Sequence, residues 1–194
     1  GSIAALRQDN IKRLFAYGTI ANIGYVLIGV IINSELGLSS AILYLVIYTI
    51  ASLGIFSFIM MLRKENTQIL NLQGLSGFSQ SNSLAAICMI ILLLSMAGIP
   101  PFAGFFAKLY IFISAVETNF LFLAIIGVIF SVISAFYYLK IIKIMYMDNP
   151  DDNSSFELDN RMLFFLIVIS ISMLLFIFFA NDFINFINNL NIRI

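Results

Sequence analysis

The sequence predicts an all-α integral membrane protein with five transmembrane helices, the third of which is discontinuous. Of its 194 residues, 61% are hydrophobic and only 10% are charged, and the mean hydropathy is +1.04. So few charged side chains could not cover the surface of a soluble protein. The apolar content is also far above that of a disordered chain. The apolar residues gather in long runs, as membrane-spanning helices require.

Several functional classes are excluded by the composition. Ten basic and ten acidic residues give no net charge, so the chain lacks the basic patch that nucleic-acid binding needs. Histidine is absent and Cys88 is the only cysteine, which argues against histidine-ligated metal, histidine-based catalysis and internal disulfides. Glycine-rich nucleotide motifs and cysteine clusters are also missing from the sequence. We therefore expect no cofactor and no metal in this chain.

Five apolar runs are long enough to cross about 30 Å of hydrocarbon, which takes about 20 residues. They do not alternate as the strands of a membrane barrel do. The first four spans are expected to form one unit, 1–147, followed by a polar loop, 148–160, and by a terminal helix with a short tail, 161–194. The predicted spans are 14–32, 40–62, 84–116, 120–145 and 162–180.

The basic residues indicate how these spans are oriented. Lysine and arginine collect in short loops on the cytoplasmic or matrix side of a membrane. With five crossings, eight basic residues fall on one side and only Arg193 on the other, so the N-terminus is expected inside and the C-terminus outside. The eight are Arg7, Lys12, Arg13, Arg63, Lys64, Lys140, Lys143 and Arg161.

The third run, 84–116, is too long for one straight crossing, because a helix of this length would reach about 50 Å. Pro100 and Pro101 each remove a backbone donor, and Gly98 and Gly104 flank them with conformational freedom. We therefore predict that the helix is broken at 98–104. Unwound backbone at membrane depth is tolerated only where it is buried in protein or lines a wet cavity.

Lys108 follows this break by one turn and is expected near the bilayer centre. Inserting a lysine at the centre of the bilayer costs roughly 3 kcal/mol of free energy, so its presence there indicates a functional role. Desolvation disfavours the charged form of lysine, so such a group can exchange protons at physiological pH. Lys108 is therefore a candidate proton relay. The alternatives are a lysine that extends to the membrane interface and one that pairs with a carboxylate of another subunit.

Other polar residues within the spans are weaker candidates. Lys12, at the inner end of the first span, is either an interfacial anchor or a functional group. Asn22 is an amide that can bind a neighbouring group or a water. Tyr44, Tyr48 and Ser52 share one helical face, which is either a wet surface or ordinary packing. Six tyrosines could line a polar path or belong to interfacial belts: Tyr17, Tyr25, Tyr44, Tyr48, Tyr137 and Tyr138.

Several stretches resemble the antiporter-like proton-pumping subunits of respiratory complex I, NADH:ubiquinone oxidoreductase. These are AALRQDNIKRLFAYGTIANIGY at 4–25, LLSMAGIPPFAGFFAKLYIF at 93–112 and VISAFYYLKIIKIMY at 132–146. With YLVIYTIASLGIFSF at 44–58, the match is closest to the subunit 2 family, called subunit N in bacteria. The resemblance covers roughly 4–147.

The resemblance implies that Lys108 is the central protonatable residue, with Lys12 as an accessory group near the inner entrance. Together with these lysines, Asn22, Tyr44, Tyr48 and Ser52 are the candidate residues of a proton path. Many relatives have histidine where this chain has Asn22, and an amide cannot titrate. The hinge that gives Lys108 its flexibility would be formed by Gly98, Pro100, Pro101 and Gly104.

The resemblance also implies partners, because the family has two inverted repeats and this chain matches only the second. We expect other complex I membrane-arm subunits and lipid as partners. The sequence would be either a truncated C-terminal part of subunit 2 or half of a split subunit 2, in which case another chain supplies the missing N-terminal helices. NADH, FMN, iron–sulfur clusters and ubiquinone would be handled by other subunits. The composition, rich in Ile, Phe and Asn, favours a mitochondrial inner membrane, with a bacterial plasma membrane as the alternative. Two alternative functions are a sodium/proton antiporter subunit and a structural subunit without its own proton path.

Overall fold

The structure is a computed structural model that describes residues 1–64, 67–149, 156 and 159–189. Within these ranges the secondary structure is helical, apart from one antiparallel pair of two-residue strands, β1 (Arg63–Lys64) and β2 (Thr67–Gln68). Most of the polar loop predicted at 148–160 lies outside the described residues. So does the predicted tail after Asn189, including Arg193.

Eight α-helices make up the described fold. Three of them, α2, α3 and α7, are long and apolar enough to cross a membrane. Two stretches are apolar but shorter, α5 and the part of α8 at Asn160–Phe176. In chain order the helices are α1 (Ser2–Leu6), α2 (Ile11–Ile32), α3 (Glu35–Met61), α4 (Phe78–Ser81), α5 (Ser83–Ala97), α6 (Ala103–Glu117), α7 (Leu121–Met147) and α8 (Asn160–Asn189).

The connection between α2 and α3 is tighter than the predicted loop at 33–39. Asn33 takes the left-handed conformation, with φ of 48°, and ends α2. The Ser34 hydroxyl then accepts a hydrogen bond from the Gly37 amide at 3.0 Å. Because this cap satisfies one of the free amides of the first turn, α3 begins at Glu35, before the predicted start of the second span.

The polar segment between α3 and α5 folds back onto the start of α2. After the two strands it forms a 3₁₀ helix at Leu72–Leu75 and the short helix α4. The Ile11 amide donates to the Leu70 carbonyl at 2.8 Å, and the Leu72 amide donates to the Asp9 carbonyl at 2.9 Å. These bonds hold the first residues of α2 against the polar segment, so the two are ordered relative to each other at this end of the bundle.

Helix α3 packs against α2, α6 and α8, while α7 packs against α1, α5 and α6. Helix α6 is therefore enclosed by apolar helices on several sides. The largest fully buried side chains include Phe58, Phe78, Tyr137 and Tyr138. Polar groups on α6 consequently meet the interior of the bundle.

Candidate functional site

Helix α5 ends in a glycine cap. Gly98 has φ of +79°, a conformation that side chains other than glycine rarely adopt. Its amide donates to the Ser95 carbonyl at 3.0 Å, and the Ile99 amide donates to the Leu94 carbonyl at 3.1 Å. This pair of bonds is the Schellman motif that closes many helices. It leaves the last two carbonyls of α5, those of Met96 and Ala97, without backbone donors.

The Lys108 side chain supplies those donors. Its Nζ donates to the Met96 carbonyl at 3.0 Å and to the Ala97 carbonyl at 3.2 Å. It also donates to Ser131 Oγ at 3.1 Å and lies 4.9 Å from the centroid of the Tyr25 ring. A positive charge is favourable at the carboxyl end of a helix. Lys108, only 4% exposed, therefore caps α5 from within α6.

The predicted hinge residues bring the two helices into close approach. The Gly104 amide donates to Ser95 Oγ at 3.1 Å, and a Cβ at Gly104 would overlap the Ser95 carbonyl oxygen. A Cβ at Gly98 would lie 2.9 Å from the lysine stem. Pro100 and Pro101 occupy the exposed turn between α5 and α6, and the peptide bond that joins them is cis. The two glycines therefore allow backbone contacts that larger residues would block.

Asn22 forms a second polar cluster, which joins three helices. Its Nδ2 donates to the Gly18 carbonyl at 2.8 Å and to the Tyr138 hydroxyl at 3.3 Å. Its Oδ1 accepts a hydrogen bond from the Tyr44 hydroxyl at 2.7 Å. Asn22 is 2% exposed, and its amide has partners for both its donor and its acceptor side. The structure thus brings together two residues predicted from sequence, Asn22 and Tyr44.

The remaining predicted residues lie apart from that cluster. The Tyr48 hydroxyl donates to Thr19 Oγ1 at 2.7 Å, and Ser52, half-buried, follows one turn later on α3. Lys12 lies at the surface and donates to Gln68 Oε1 at 2.8 Å. Lys12 therefore marks the end of the bundle at which α2 begins.

Two serines on α7 were missed by sequence reasoning. Ser131 binds Lys108, and Ser134 Oγ lies 2.9 Å from Ser2 Oγ in the buried contact between α1 and α7. With Tyr138 they follow the helical spacing i, i+3, i+7, which places all three on one face. This spacing, which is present in the sequence, is the feature from which a polar face on α7 could be predicted.

Charge and metal-binding groups are sparse around the lysine. The ion pairs found in the described part of the chain lie at the surface, for example Lys140 with Asp9 at 3.6 Å and Lys143 with Asp148 at 3.1 Å. No carboxylate among the described residues is within ion-pair distance of Lys108. The same residues contain no group of three potential His, Cys, Asp or Glu metal ligands. The ammonium is thus held by neutral oxygens and an aromatic ring.

Sequence comparisons identify similar proteins. The family described as NADH:quinone oxidoreductase/Mrp antiporter, transmembrane, matches residues 1–134. NADH-quinone oxidoreductase subunit N from Paramagnetospirillum magneticum is 43% identical over 150 residues, covering 77% of this chain and 31% of that protein. Its namesake from Pelagibacter ubique is 39% identical over 194 residues, covering 99% of this chain and 41% of that protein. The matched regions thus span 31% and 41% of the lengths of these two relatives, less than half of either.

Solved structures share the fold. A chain of respiratory complex I from Thermus thermophilus with bound NADH matches with a TM-score of 0.85 at 21% identity, covering 97% of this chain and 40% of that chain. A chain of the Mrp complex from Dietzia sp. DQ12-45-1b matches with a TM-score of 0.84 at 19% identity, covering 96% of this chain and 43% of that chain. The chain therefore shares the overall fold of these solved chains.

Proposed function

The chain belongs to the NADH:quinone oxidoreductase/Mrp antiporter transmembrane family, and on this premise we propose that it is part of a proton-translocating membrane-arm subunit of complex I. The relatives named subunit N support this assignment. One observation carries the function. A lysine ammonium lies in the interior at the end of a helix, bound by neutral groups and without a carboxylate within ion-pair distance in the described chain.

Lys108 is the proton carrier in this proposal. An ammonium that faces neutral oxygens can release a proton and remain as a neutral amine, which a permanently paired ion would not do as readily. Protons would reach it from the inner side past Tyr48, Asn22 and Tyr44, with Lys12 near the entrance. Release would follow toward the outer side when hydration changes the access of the lysine. Gly98 and Gly104, with Pro100 and Pro101, would hold the break that makes this possible.

The membrane topology that fits this role has five crossings. Helices α2, α3, α7 and α8 each cross once, and α5 and α6 together form the third, interrupted crossing. The basic residues then lie mainly inside, as does the N-terminus. An energy-transducing membrane would house the protein: the mitochondrial inner membrane by composition, or the bacterial plasma membrane by analogy with the bacterial relatives.

Electron transfer belongs to other subunits in this proposal. NADH, FMN, the iron–sulfur clusters and ubiquinone would be bound elsewhere, and their reactions would reach Lys108 through charge changes in neighbouring subunits. The relatives are more than twice as long as this chain, so the preceding helices would come from further sequence or from a partner chain. The exposed apolar faces of α7 and α8, with Phe122 and Phe164, would contact lipid or such partners.

Replacing Lys108 by methionine tests this function in membrane vesicles that contain the assembled complex. Lys108→Met keeps the unbranched stem but removes the charge, so we expect NADH-driven proton uptake to fall strongly. Lys143→Met, at a surface ion pair, is the matched control and should pump normally. A native gel with NADH dehydrogenase staining reports whether both variants assemble.

The outcomes separate three functions. Loss of pumping in Lys108→Met with retained assembly supports proton translocation by this subunit. Normal pumping would contradict it and favour a structural subunit without a proton path. Sodium-dependent transport that does not require NADH would instead favour a sodium/proton antiporter subunit.

A further inference from the structure

We propose that Ser95 is the positioning residue for Lys108, because its hydroxyl caps α6 while Lys108 caps α5. The part of this proposal that concerns proton transfer rests on the proposed function. The part that concerns the placement of the lysine rests on the hydrogen bonds between α5 and α6 alone. Ser95 would thus set where the ammonium lies without taking up a proton itself.

Helix α6 receives its N-terminal cap from another helix. Its N-cap residue is Phe102, whose side chain carries no hydrogen-bond acceptor. The first amides of a helix have no partners within that helix, so they need acceptors from elsewhere. Ser95 Oγ on α5 provides one, since it accepts a hydrogen bond from the Gly104 amide at 3.1 Å. A serine, which usually caps the helix that it begins, here caps a different helix.

The hydroxyl of Ser95 is directed away from its own helix. Serines inside a helix commonly donate to a carbonyl four residues earlier, as Ser40 does to the Leu36 carbonyl. Ser95 instead accepts from Gly104 on α6 and donates to Met173 Sδ on α8 at 3.9 Å. Ser95 is 1% exposed, so these neighbouring helices determine the orientation of its hydroxyl. The side chain therefore serves a contact between helices.

The cap at Gly104 and the lysine lie on one face of α6. Gly104 and Lys108 are four residues apart, which corresponds to about 6 Å of helical rise. A Cβ at Gly104 would overlap the Ser95 carbonyl oxygen, so the two backbones are in close contact. This contact fixes the height and the rotation of α6 one turn before the lysine. If α6 slid or turned, the ammonium would move away from the Met96 and Ala97 carbonyls.

The two caps are reciprocal. Helix α5 ends in carbonyls that accept from Lys108 of α6, and α6 begins with an amide that donates to Ser95 of α5. Each helix end is thereby satisfied by a side chain of the other helix. Interactions that share one hydrogen-bond network are usually coupled energetically. Loss of the Ser95 hydroxyl should therefore weaken the hydrogen bonds of Lys108 as well.

The neighbours of the Ser95 hydroxyl exclude it as a proton carrier. Its oxygen accepts from a backbone amide, which does not titrate, and its own proton faces the thioether of Met173, which is only a weak acceptor. A proton that reached this hydroxyl would have no onward acceptor in either group. Any effect of Ser95 on proton movement must therefore pass through the position of Lys108.

Ser95→Ala in the assembled complex tests the positioning role. Alanine leaves the Gly104 amide without its acceptor, so the lysine should lose its fixed placement. We expect proton uptake per NADH oxidised to fall about three- to tenfold, the change in population that one net hydrogen bond produces. Ser114→Ala is the matched control and should pump normally. Ser114 is also 1% exposed, but its hydroxyl donates to the Ile111 carbonyl of its own helix.

A density map of each complex gives a readout that a purely structural role of Ser95 would not change. In the unmodified complex, the Lys108 ammonium should lie within hydrogen-bonding distance of the Met96 and Ala97 carbonyls. In Ser95→Ala the ammonium should be displaced or distributed over several positions, and in Ser114→Ala it should stay in place. Lysine density at the same position in both variants would overturn the proposal, whatever the pumping rates are.

Lys108→Met in the same vesicles separates failure of this proposal from failure of the proposed function. If Lys108→Met abolishes pumping and Ser95→Ala pumps like the control, Ser95 does not position the lysine. If Lys108→Met pumps normally, the proposed function fails, and the density maps alone decide the placement.

A second variant covers the case in which Ser95→Ala does not assemble. Ser95→Cys fills the site with a thiol, which is only a weak acceptor, so we expect it to assemble and to pump less than Ser114→Ala. Pumping at the control level would contradict the proposal. Failure of both Ser95 variants to assemble would show that this residue serves packing alone, and the proposal would then be wrong.

Discussion

The Tyr44 hydroxyl donates a 2.7 Å hydrogen bond to Oδ1 of Asn22, and this bond joins α3 to α2 inside the bundle. The same amide binds Tyr138 on α7. One side chain thereby connects α2 with the next helix, α3, and with α7, which is distant in sequence. Because the amide is buried with its donor and acceptor sides paired, it contributes to the unique packing of the bundle as well as to a polar path.

Asn22→Leu is expected to destabilise the protein. It leaves the Tyr44 hydroxyl without its acceptor and the Tyr138 hydroxyl without its donor, at a cost of about 1–3 kcal/mol for each buried group. The measurement is the thermal stability of the detergent-solubilised complex, with Ile23→Leu, at a 36% exposed position, as the control. Equal stability of the two variants would mean that the hydrogen bonds to Asn22 contribute little.

Lys108→Arg is expected to preserve assembly but to abolish proton pumping. A guanidinium can still donate to the Met96 and Ala97 carbonyls, but arginine is not deprotonated in proteins. NADH-driven proton uptake in vesicles is the measurement, and Lys140→Arg, at a partly exposed ion pair, is the control. Pumping by Lys108→Arg at the control rate would show that positive charge at this position suffices without proton exchange.

Gly104→Ala is expected to destabilise the contact between α5 and α6. The added methyl group would overlap the Ser95 carbonyl oxygen, and overpacking of this kind costs about 1–3 kcal/mol. Gly24→Ala is the control, since a Cβ there meets no atom within 4 Å. The amount of assembled complex on a native gel and its thermal midpoint would be compared. If both variants behave alike, the backbone at Gly104 can move aside at low cost.

Hydropathy predicts the helices well but not their ends. Apolar runs dominate this sequence, so the helical regions follow from the length of each run. The start of α3 depends instead on a local hydrogen bond from the Gly37 amide to Ser34, which a hydropathy pattern does not register. The fold of the polar segment after α3 depends on backbone bonds such as that between Ile11 and Leu70, which join residues far apart in sequence.

The sequence allows some residues of the candidate site to be predicted, but it does not reveal which of them form hydrogen bonds with each other. Helical side chains point toward the N-terminal end of their helix, so a lysine just after a break is directed back at it. That Lys108 would meet Ser131 depends on the packing of α6 against α7, which no local pattern reveals. Serines within helices commonly bond their own backbone, so Ser131 and Ser134 carried little signal individually.

The hydrogen bonds at the end of α5 also favour one conformation of the Lys108 side chain. When the ammonium moves away, the Met96 and Ala97 carbonyls both lose their donor in a medium that offers few substitutes. Movement of the side chain away from α5 therefore costs the free energy of leaving these two carbonyls unpaired. The lysine therefore has a defined lowest-energy position, and the free energy needed to leave it depends on the two carbonyls at the end of α5.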